Sequence, residues 1–148
     1  MPTLTLSEFA ERLNEIFPVL IREFHRQKIP QLEKHKITLP QFLILKFLSR
    51  EGKSQMNALA HFMNVSTAAM TGMVERLVRD GFVLRQHETK DRRIILVRLT
   101  ARGKALVKNL SLEERHTLVH IFGKISEQDR KDYLRILQQI KTTLLDEK

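Results

Sequence analysis

Apolar side chains recur at steps of three and four near both ends of the chain, which is the spacing of an amphipathic α-helix. In the first stretch they are Leu6, Phe9, Leu13, Ile16, Phe17, Leu20, Ile21 and Phe24. Near the other end, Ser126 and Asp129 form a capping signal, and the apolar positions that follow are Tyr133, Ile136, Leu137, Ile140 and Leu144. Pro18 lies inside the first stripe, so we expect a kink or a helix boundary there.

A third apolar stretch precedes the last helix and predicts one further helix or two. Its members are Leu106, Leu110, Leu118, Ile121, Phe122 and Ile125. A break within the polar residues 111–117 is one of the two alternatives, because Ser111 and Glu114 have the spacing of a capping box. The apolar stripes at the two ends can pack within one chain or against a second copy, and we favour a two-fold dimer.

The middle of the chain predicts one helix, followed by a short second helix that ends at a tight turn. Thr38 and Gln41 form a capping box, and Gly52 ends the helix that follows. Ser54 is expected to cap a short second helix, which ends at the turn residues Asn64 and Val65. This order is typical of the first part of a helix–turn–helix.

The next helix is expected to start at Ser66 and to end at Gly81. Its buried stripe is Met70, Met73, Val74, Leu77 and Val78, which leaves outward Ser66, Thr67, Ala68, Thr71, Gly72, Glu75, Arg76 and Arg79. The outward face is small near its start, as a helix needs in order to approach base edges closely. Gly72 costs about 1 kcal/mol relative to alanine inside a helix. Close approach to DNA and a tolerated surface glycine both explain it.

Residues 82–87 and 94–99 then predict two β-strands, joined by residues 88–93. This link has no glycine or asparagine, and five of its six residues are charged, three of them basic. It therefore predicts an electropositive hairpin tip, from which Arg92 or Arg93 could enter a minor groove. The alternative is a solvated charged loop.

The position of the charge supports the first interpretation. The 148 residues have a net charge of +9, and residues 38–110 account for +8 of it, against +1 for residues 1–37 and 0 for residues 111–148. A basic centre between neutral arms is typical of a nucleic-acid-binding module.

The chain has no cysteine, which excludes disulfides and thiol chemistry. No apolar run is long enough for a membrane span, and the start lacks a signal-peptide pattern, so we expect a cytoplasmic protein without membrane contact.

Three stretches of this middle segment resemble the MarR (multiple antibiotic resistance regulator) family of transcription factors. They are residues 59–66, residues 73–83, and the run of Asp91, Arg92, Arg93, Val97, Leu99, Thr100 and Gly103. The resemblance implies a mainly α-helical fold with a small β-hairpin wing. One domain over residues 1–148 would comprise an N-terminal dimerisation helix (1–37), a winged helix–turn–helix lobe (38–110) and C-terminal dimerisation helices (111–148).

The resemblance also implies roles for single residues. Arg93 looks like the wing arginine that reaches the minor groove, Asp91 like the acidic residue that orients the wing, and Thr100 like the cap of the helix that follows. Similar proteins are obligate dimers on pseudo-palindromic operators and are usually repressors. Many release DNA when a small aromatic or lipophilic acid binds, but this sequence identifies no effector.

We therefore predict a homodimeric, sequence-specific regulator that binds double-stranded DNA and is not an enzyme. The expected DNA-binding residues are Ser66, Thr67, Ala68, Thr71, Gly72, Arg76, Lys90, Arg92 and Arg93, with Arg76 and Lys90 at phosphates and Thr67, Ala68 and Thr71 at base edges. No cofactor is implied. His116 and His120 have the spacing of half a metal site, but no third ligand is evident and we predict no metal. The rival hypotheses are an architectural protein that coats DNA without sequence preference and a module that docks an acidic protein.

Overall fold

The computed structural model describes residues 3–147 and contains six helices and three strands over that range. They are α1 (Leu6–Lys34), α2 (Leu39–Glu51), β1 (Lys53–Gln55), α3 (Met56–Met63), α4 (Thr67–Arg79), β2 (Val83–His87), β3 (Ile95–Leu99), α5 (Ala101–Phe122) and α6 (Glu127–Asp146). The mainly helical class with a small wing is confirmed. The chain divides into two compact units, one up to Ser111 and one from Leu112.

Helix α1 begins at a capping box and continues through two prolines. The Thr5 hydroxyl accepts from the Glu8 N–H at 3.3 Å, and the Glu8 carboxylate accepts from the Thr5 N–H at 2.9 Å. The helix runs unbroken across Pro18 and Pro30, so a helix boundary at Pro18 was the wrong alternative. A proline removes only the hydrogen bond that its own N–H would make, and the other bonds of a 29-residue helix carry the chain past it.

The predicted signals around α2 are confirmed. Thr38 and Gln41 form a reciprocal capping box, in which the Thr38 N–H donates to the Gln41 side-chain oxygen at 2.9 Å. The helix ends at Gly52, whose φ of +83° is rarely adopted by residues other than glycine. Strand β1 begins at the next residue.

Ser54 does not cap α3, and that prediction is wrong. It is the central, buried residue of β1 and pairs with Val97 of β3. Its hydroxyl donates to the Gln55 carbonyl at 3.1 Å, while the N-cap of α3 is Gln55, which makes no side-chain capping bond. The strand forms because β3 supplies its hydrogen-bond partners, a contact between residues more than 40 positions apart.

The three strands form an antiparallel sheet in the order β1–β3–β2. Each strand of the predicted hairpin starts one residue later than expected, with Val83 opposite Leu99 and His87 opposite Ile95. One face of the sheet packs inward through Val83, Val97 and Leu99, all of them buried. The hairpin extends beyond this packed region to form the wing.

The core of the first unit lies between the sheet and residues of five helices, α1 to α5. Its largest fully buried side chains are Ile44, Leu45, Leu48, Leu59, Met70, Leu77, Val74, Val83 and Val97. Leu106, Val107 and Leu110 of α5 add to the same cluster. At about 1.5–3 kcal/mol for each large side chain removed from water, this cluster is the main source of stability of the lobe.

Thr100 precedes the first residue of α5, and its hydroxyl accepts from the Gly103 N–H at 3.0 Å, as the resemblance implied. The helix continues without interruption through residues 111–117, so one helix is the correct alternative and a break is the wrong one. Thr117 donates its hydroxyl to the Glu113 carbonyl at 3.2 Å, which satisfies this polar side chain within the helix. A capping signal does not end a helix when the residues before it continue to make helical bonds.

In the unit from Leu112, α6 starts where expected, with the Ser126 hydroxyl accepting from the Asp129 N–H at 3.1 Å. The Phe122 and Tyr133 rings stack with centroids 5.6 Å apart, and Arg130 donates to the Phe122 carbonyl at 3.1 Å. Helix α6 nevertheless has no buried residue. Over residues 3–147, none of the helices has the length and apolar character of a membrane span.

Candidate nucleic-acid interface

The turn between α3 and α4 sets the direction of α4. Asn64 adopts the left-handed conformation with φ of +52°, which asparagine tolerates better than most residues, and its N–H bonds to the last carbonyls of α3. The Ser66 hydroxyl then accepts from the Ala69 N–H at 3.1 Å and caps α4, as predicted. Helices α3 and α4 thus form the predicted helix–turn–helix.

Helix α4 buries one side and presents the other to solvent. Met70, Val74 and Leu77 are buried, and Met73 and Val78 pack partly against the core, as the stripe predicted. Among the predicted contact residues, Ser66, Thr67, Ala68 and Arg76 are exposed, while Thr71 and Gly72 are partly exposed. The structure therefore places these side chains together on the outward surface of one helix.

Two residues of this surface have features that suit contact with DNA. A methyl group added at Gly72 would lie in open space, so packing within the chain does not require glycine there. The Thr71 hydroxyl donates to the Thr67 carbonyl at 2.8 Å, which leaves its oxygen as an acceptor beside its methyl group. An acceptor beside a methyl group can meet an adenine or cytosine amino group or the methyl group of thymine.

The wing carries the other predicted contacts. Lys90 and Arg92 are exposed in the link between β2 and β3, and the structure shows no ion pair for either within residues 3–147. Arg93 is exposed as well, with 91% of its side chain open to solvent. Three cations thus project from one turn into solvent, which favours an anionic partner.

Asp91 holds Arg93 in place although Arg93 is so exposed. One carboxylate oxygen of Asp91 accepts from the Arg93 backbone N–H at 3.0 Å and from Nε at 3.1 Å, and the other accepts from Nη2 at 3.2 Å. The side-chain bond from Arg93, and after it the backbone bond, lowers the pKa of Asp91 from its ordinary value. This geometry suits an acidic residue that orients the arginine.

The base of the wing is tied to the start of α5. The Thr100 hydroxyl donates to the Gly81 carbonyl at 2.6 Å, and its N–H donates to the Phe82 carbonyl at 3.0 Å. A side chain at Gly103 would collide with that same Phe82 carbonyl. The Arg102 guanidinium lies 4.8 Å from the centroid of the Phe82 ring. The end of α4, the wing and α5 therefore meet in close backbone contact.

Sequence reasoning missed one residue of the wing, His87. Its Nδ1 lies 2.6 Å from the Arg92 carbonyl oxygen, across the turn. The sequence placed His87 at the end of a strand, which is where it lies, but its spacing to Arg92 gave no signal of this bond. His116 and His120 are both exposed on α5, and no group of three or more metal-binding side chains is present within residues 3–147.

Comparisons with known proteins agree with this geometry. The sequence model of the MarR family matches residues 37–95, which run from just before α2 to the first residue of β3. This part of the chain is similar to that family. The transcriptional repressor YetL of Bacillus subtilis is 33% identical over 103 residues, covering 60% of this chain and 62% of YetL. The chain thus spans less than two thirds of the length of that relative.

Two solved structures show the same fold over nearly the whole chain. A MarR family protein from Bacillus stearothermophilus has a TM-score of 0.87 at 19% identity and covers 95% of this chain and 99% of its own. A MepR variant from S. aureus, bound to an oligodeoxyribonucleotide, has a TM-score of 0.66 at 19% identity and covers 88% of this chain and 96% of its own.

Proposed function

We propose that this protein is a sequence-specific, double-stranded DNA-binding transcriptional regulator, and that it acts as a repressor. The observation that carries the proposal is the wing tip, where an arginine that is 91% exposed is held by an aspartate. The names of the YetL repressor and the DNA-bound MepR structure support it.

In this proposal α4 enters the major groove and the wing reaches the flanking minor groove. Thr67, Ala68 and Thr71 contact base edges, and Ser66 and Gly72 allow the helix to approach closely. Arg76 and Lys90 contact phosphates, and Arg92 and Arg93 lie at the minor groove. Asp91 stays on the protein side, because a carboxylate facing phosphates would be repelled, and orients Arg93.

We further propose that the protein is a homodimer joined through its helical arms, which would present two lobes to a pseudo-palindromic operator. Apolar side chains on α1 are 42–83% exposed at Leu6, Phe9, Ile16, Phe17, Leu20 and Ile21. Those on α6 are 40–59% exposed at Tyr133, Ile136, Leu137, Ile140 and Leu144. Stripes this long are covered in most proteins, and a second copy supplies matching stripes by symmetry.

Release of DNA by a small lipophilic or aromatic effector is part of what the family resemblance implies. These 148 residues contain no cysteine, so release here would need a non-covalent ligand rather than thiol oxidation. A screen of such acids for loss of DNA binding tests this part separately from the binding itself.

The function is tested by selecting duplexes from genomic fragments with the full-length protein and then competing the selected duplex against random duplex. A specific regulator should prefer the selected duplex by about 10³ or more. An architectural protein, the second candidate, gives a ratio near one. Failure to bind any duplex at low salt would instead favour a module that docks an acidic protein.

A further inference from the structure

The turn at the tip of the wing is stabilised without the residues that usually form such turns. Residues 88–93 include no glycine or asparagine, which tight hairpins prefer. Two backbone bonds cross the turn, from the Glu88 N–H to the Ile94 carbonyl at 2.9 Å and from the Ile94 N–H to the Asp91 carbonyl at 3.0 Å. The remaining order of the tip must come from side chains.

Two side chains hold the same peptide group from opposite ends. This group consists of the carbonyl of Arg92 and the N–H of Arg93. His87 Nδ1 lies 2.6 Å from the carbonyl oxygen, and the Asp91 carboxylate accepts from the N–H at 3.0 Å. Because a peptide group is planar and rigid, holding its two ends fixes its orientation. The Cα atoms of both arginines belong to that plane, so the positions from which their side chains start are restrained with it.

The chemistry of the first contact assigns the proton. A carbonyl oxygen only accepts hydrogen bonds, so Nδ1 of His87 must carry the hydrogen. Nε2 is then left to solvent or to a ligand of the wing. The imidazole is therefore held in one tautomer by a contact between residues five positions apart.

We propose that His87 is a positioning residue for the wing: it orients the Arg92–Arg93 peptide group so that both guanidinium groups face the DNA. This inference rests on the proposed function and adds to it a determinant that touches no base. The partner site is a narrow, A·T-rich minor groove, because that is where the negative potential attracts inserted arginines.

Two substitutions of matched shape separate the hydrogen bond from the bulk of the side chain. In His87→Asn the amide nitrogen lies two bonds from Cβ, as Nδ1 does, so the donor is kept. In His87→Leu the branching at Cγ is the same, but the donor is lost. His61→Leu, at an exposed position on α3, is the control for loss of a surface histidine from the same lobe.

The first measurement uses the free protein. Long-range ¹H–¹⁵N spectra of the histidine rings should show hydrogen on Nδ1 of His87, and heteronuclear NOE values should report ordered amides at Asp91, Arg92 and Arg93. In His87→Leu these three amides should become mobile, and in His87→Asn they should stay ordered. Equal order in the parent protein and His87→Leu would overturn the proposal.

The second measurement is the affinity of each variant for a selected duplex with A·T flanks and for the same duplex with G·C flanks. His87→Leu should weaken binding to the A·T-flanked duplex by about fivefold, the scale of one lost hydrogen bond. His87→Asn and His61→Leu should stay within about twofold, well inside the effect of one hydrogen bond. Equal losses with both variants at His87 would contradict the proposal. Failure of the parent protein to bind any duplex would contradict the proposed function, whereas the amide NOE values would still report on the contact.

Discussion

The lobe of the winged helix–turn–helix and the helical arms differ in what they bury. Every buried side chain within residues 3–147 lies between Leu32 and Leu110. Helix α6 buries none, and α1 contributes only Leu32 at its end. The lobe therefore has its own core, whereas the arms keep their apolar stripes at the surface. The difference fits the proposed dimer, in which a second copy covers the apolar stripes of the arms.

The same two regions differ in charge. Residues 38–110 have a net charge of +8, while the residues before and after them have +1 and 0. The basic region is the one with the rigid core, and the neutral regions are the ones with the open apolar stripes. This division fits the proposal that the basic lobe binds DNA and that the neutral arms associate through apolar contacts.

Removing a leucine from each region should change two different quantities, the stability of the lobe and the association of the arms. Leu45 is completely buried in the lobe, and Leu45→Ala should lower the free energy of unfolding by about 3 kcal/mol. Leu137 is 40% exposed on α6, and Leu137→Ala should instead raise the dimer dissociation constant. Chemical denaturation and sedimentation at several protein concentrations separate the two effects. A loss of lobe stability in Leu137→Ala, without any change in association, would contradict the comparison.

Substitutions of two glycines within the lobe should separate its stability from its DNA binding. Gly103→Ala forces a methyl group against the Phe82 carbonyl and should destabilise the lobe by about 2 kcal/mol. Gly72→Ala adds a methyl group in open space on a helix and should stabilise the free protein by about 1 kcal/mol. We expect Gly72→Ala to weaken DNA binding all the same. Unchanged DNA affinity in that variant would favour the alternative of a tolerated surface glycine.

Arg93→Ala should separate DNA binding from stability. The side chain is 91% exposed, so its loss should leave the thermal midpoint and the dimer unchanged. Affinity for the selected duplex should fall by at least about tenfold, as for a lost bond to a charged group. Arg115→Ala, an exposed arginine in the arm, is the control and should bind normally. An unchanged affinity in Arg93→Ala would exclude the proposed role of the wing.

Asp91→Asn should have a smaller effect, because Arg93 stays present but loses its charged partner. We expect DNA affinity to fall by about threefold, which is less than the loss expected when a hydrogen bond to a charged group is removed completely. The lowered pKa of Asp91 gives the sign of the pH dependence. The bond to Arg93 is fully present above the ordinary carboxyl pKa of 3.8 and is lost as the pH falls through the lowered value. As the pH is lowered from about 5 to about 2, where carboxyl groups titrate, the amide NOE value at Arg93 should decrease in the parent protein. In Asp91→Asn it should not change over the same interval.

Local signals predicted most of the lobe. The caps at Thr38 and Ser66 and the end of α2 at Gly52 depend on a few neighbouring residues, so the sequence was sufficient for them. The strand at Ser54 was missed because it forms only through pairing with the distant β3. A break in α5 is the wrong alternative, because a local capping pattern does not end a helix whose residues continue to make helical hydrogen bonds.

The wing shows the same limit at the level of the site. The pairing of Asp91 with Arg93 was expected from the family resemblance, and the structure shows their bonds. The contact from His87 to Arg92 depends on how the turn folds back, which the charge pattern of residues 88–93 does not encode. Contacts to a main-chain carbonyl leave no pattern in the sequence, because every residue has one.

The most direct test of the central claim counts the chains bound to one duplex as its length increases. A selected operator placed in duplexes of increasing length is mixed with the full-length protein, and the mass of the complex is measured by light scattering. The proposed regulator should bind as two chains at every length, one lobe for each half-site. A number of chains that rises in proportion to the duplex length, or a single chain on the operator, would contradict the account.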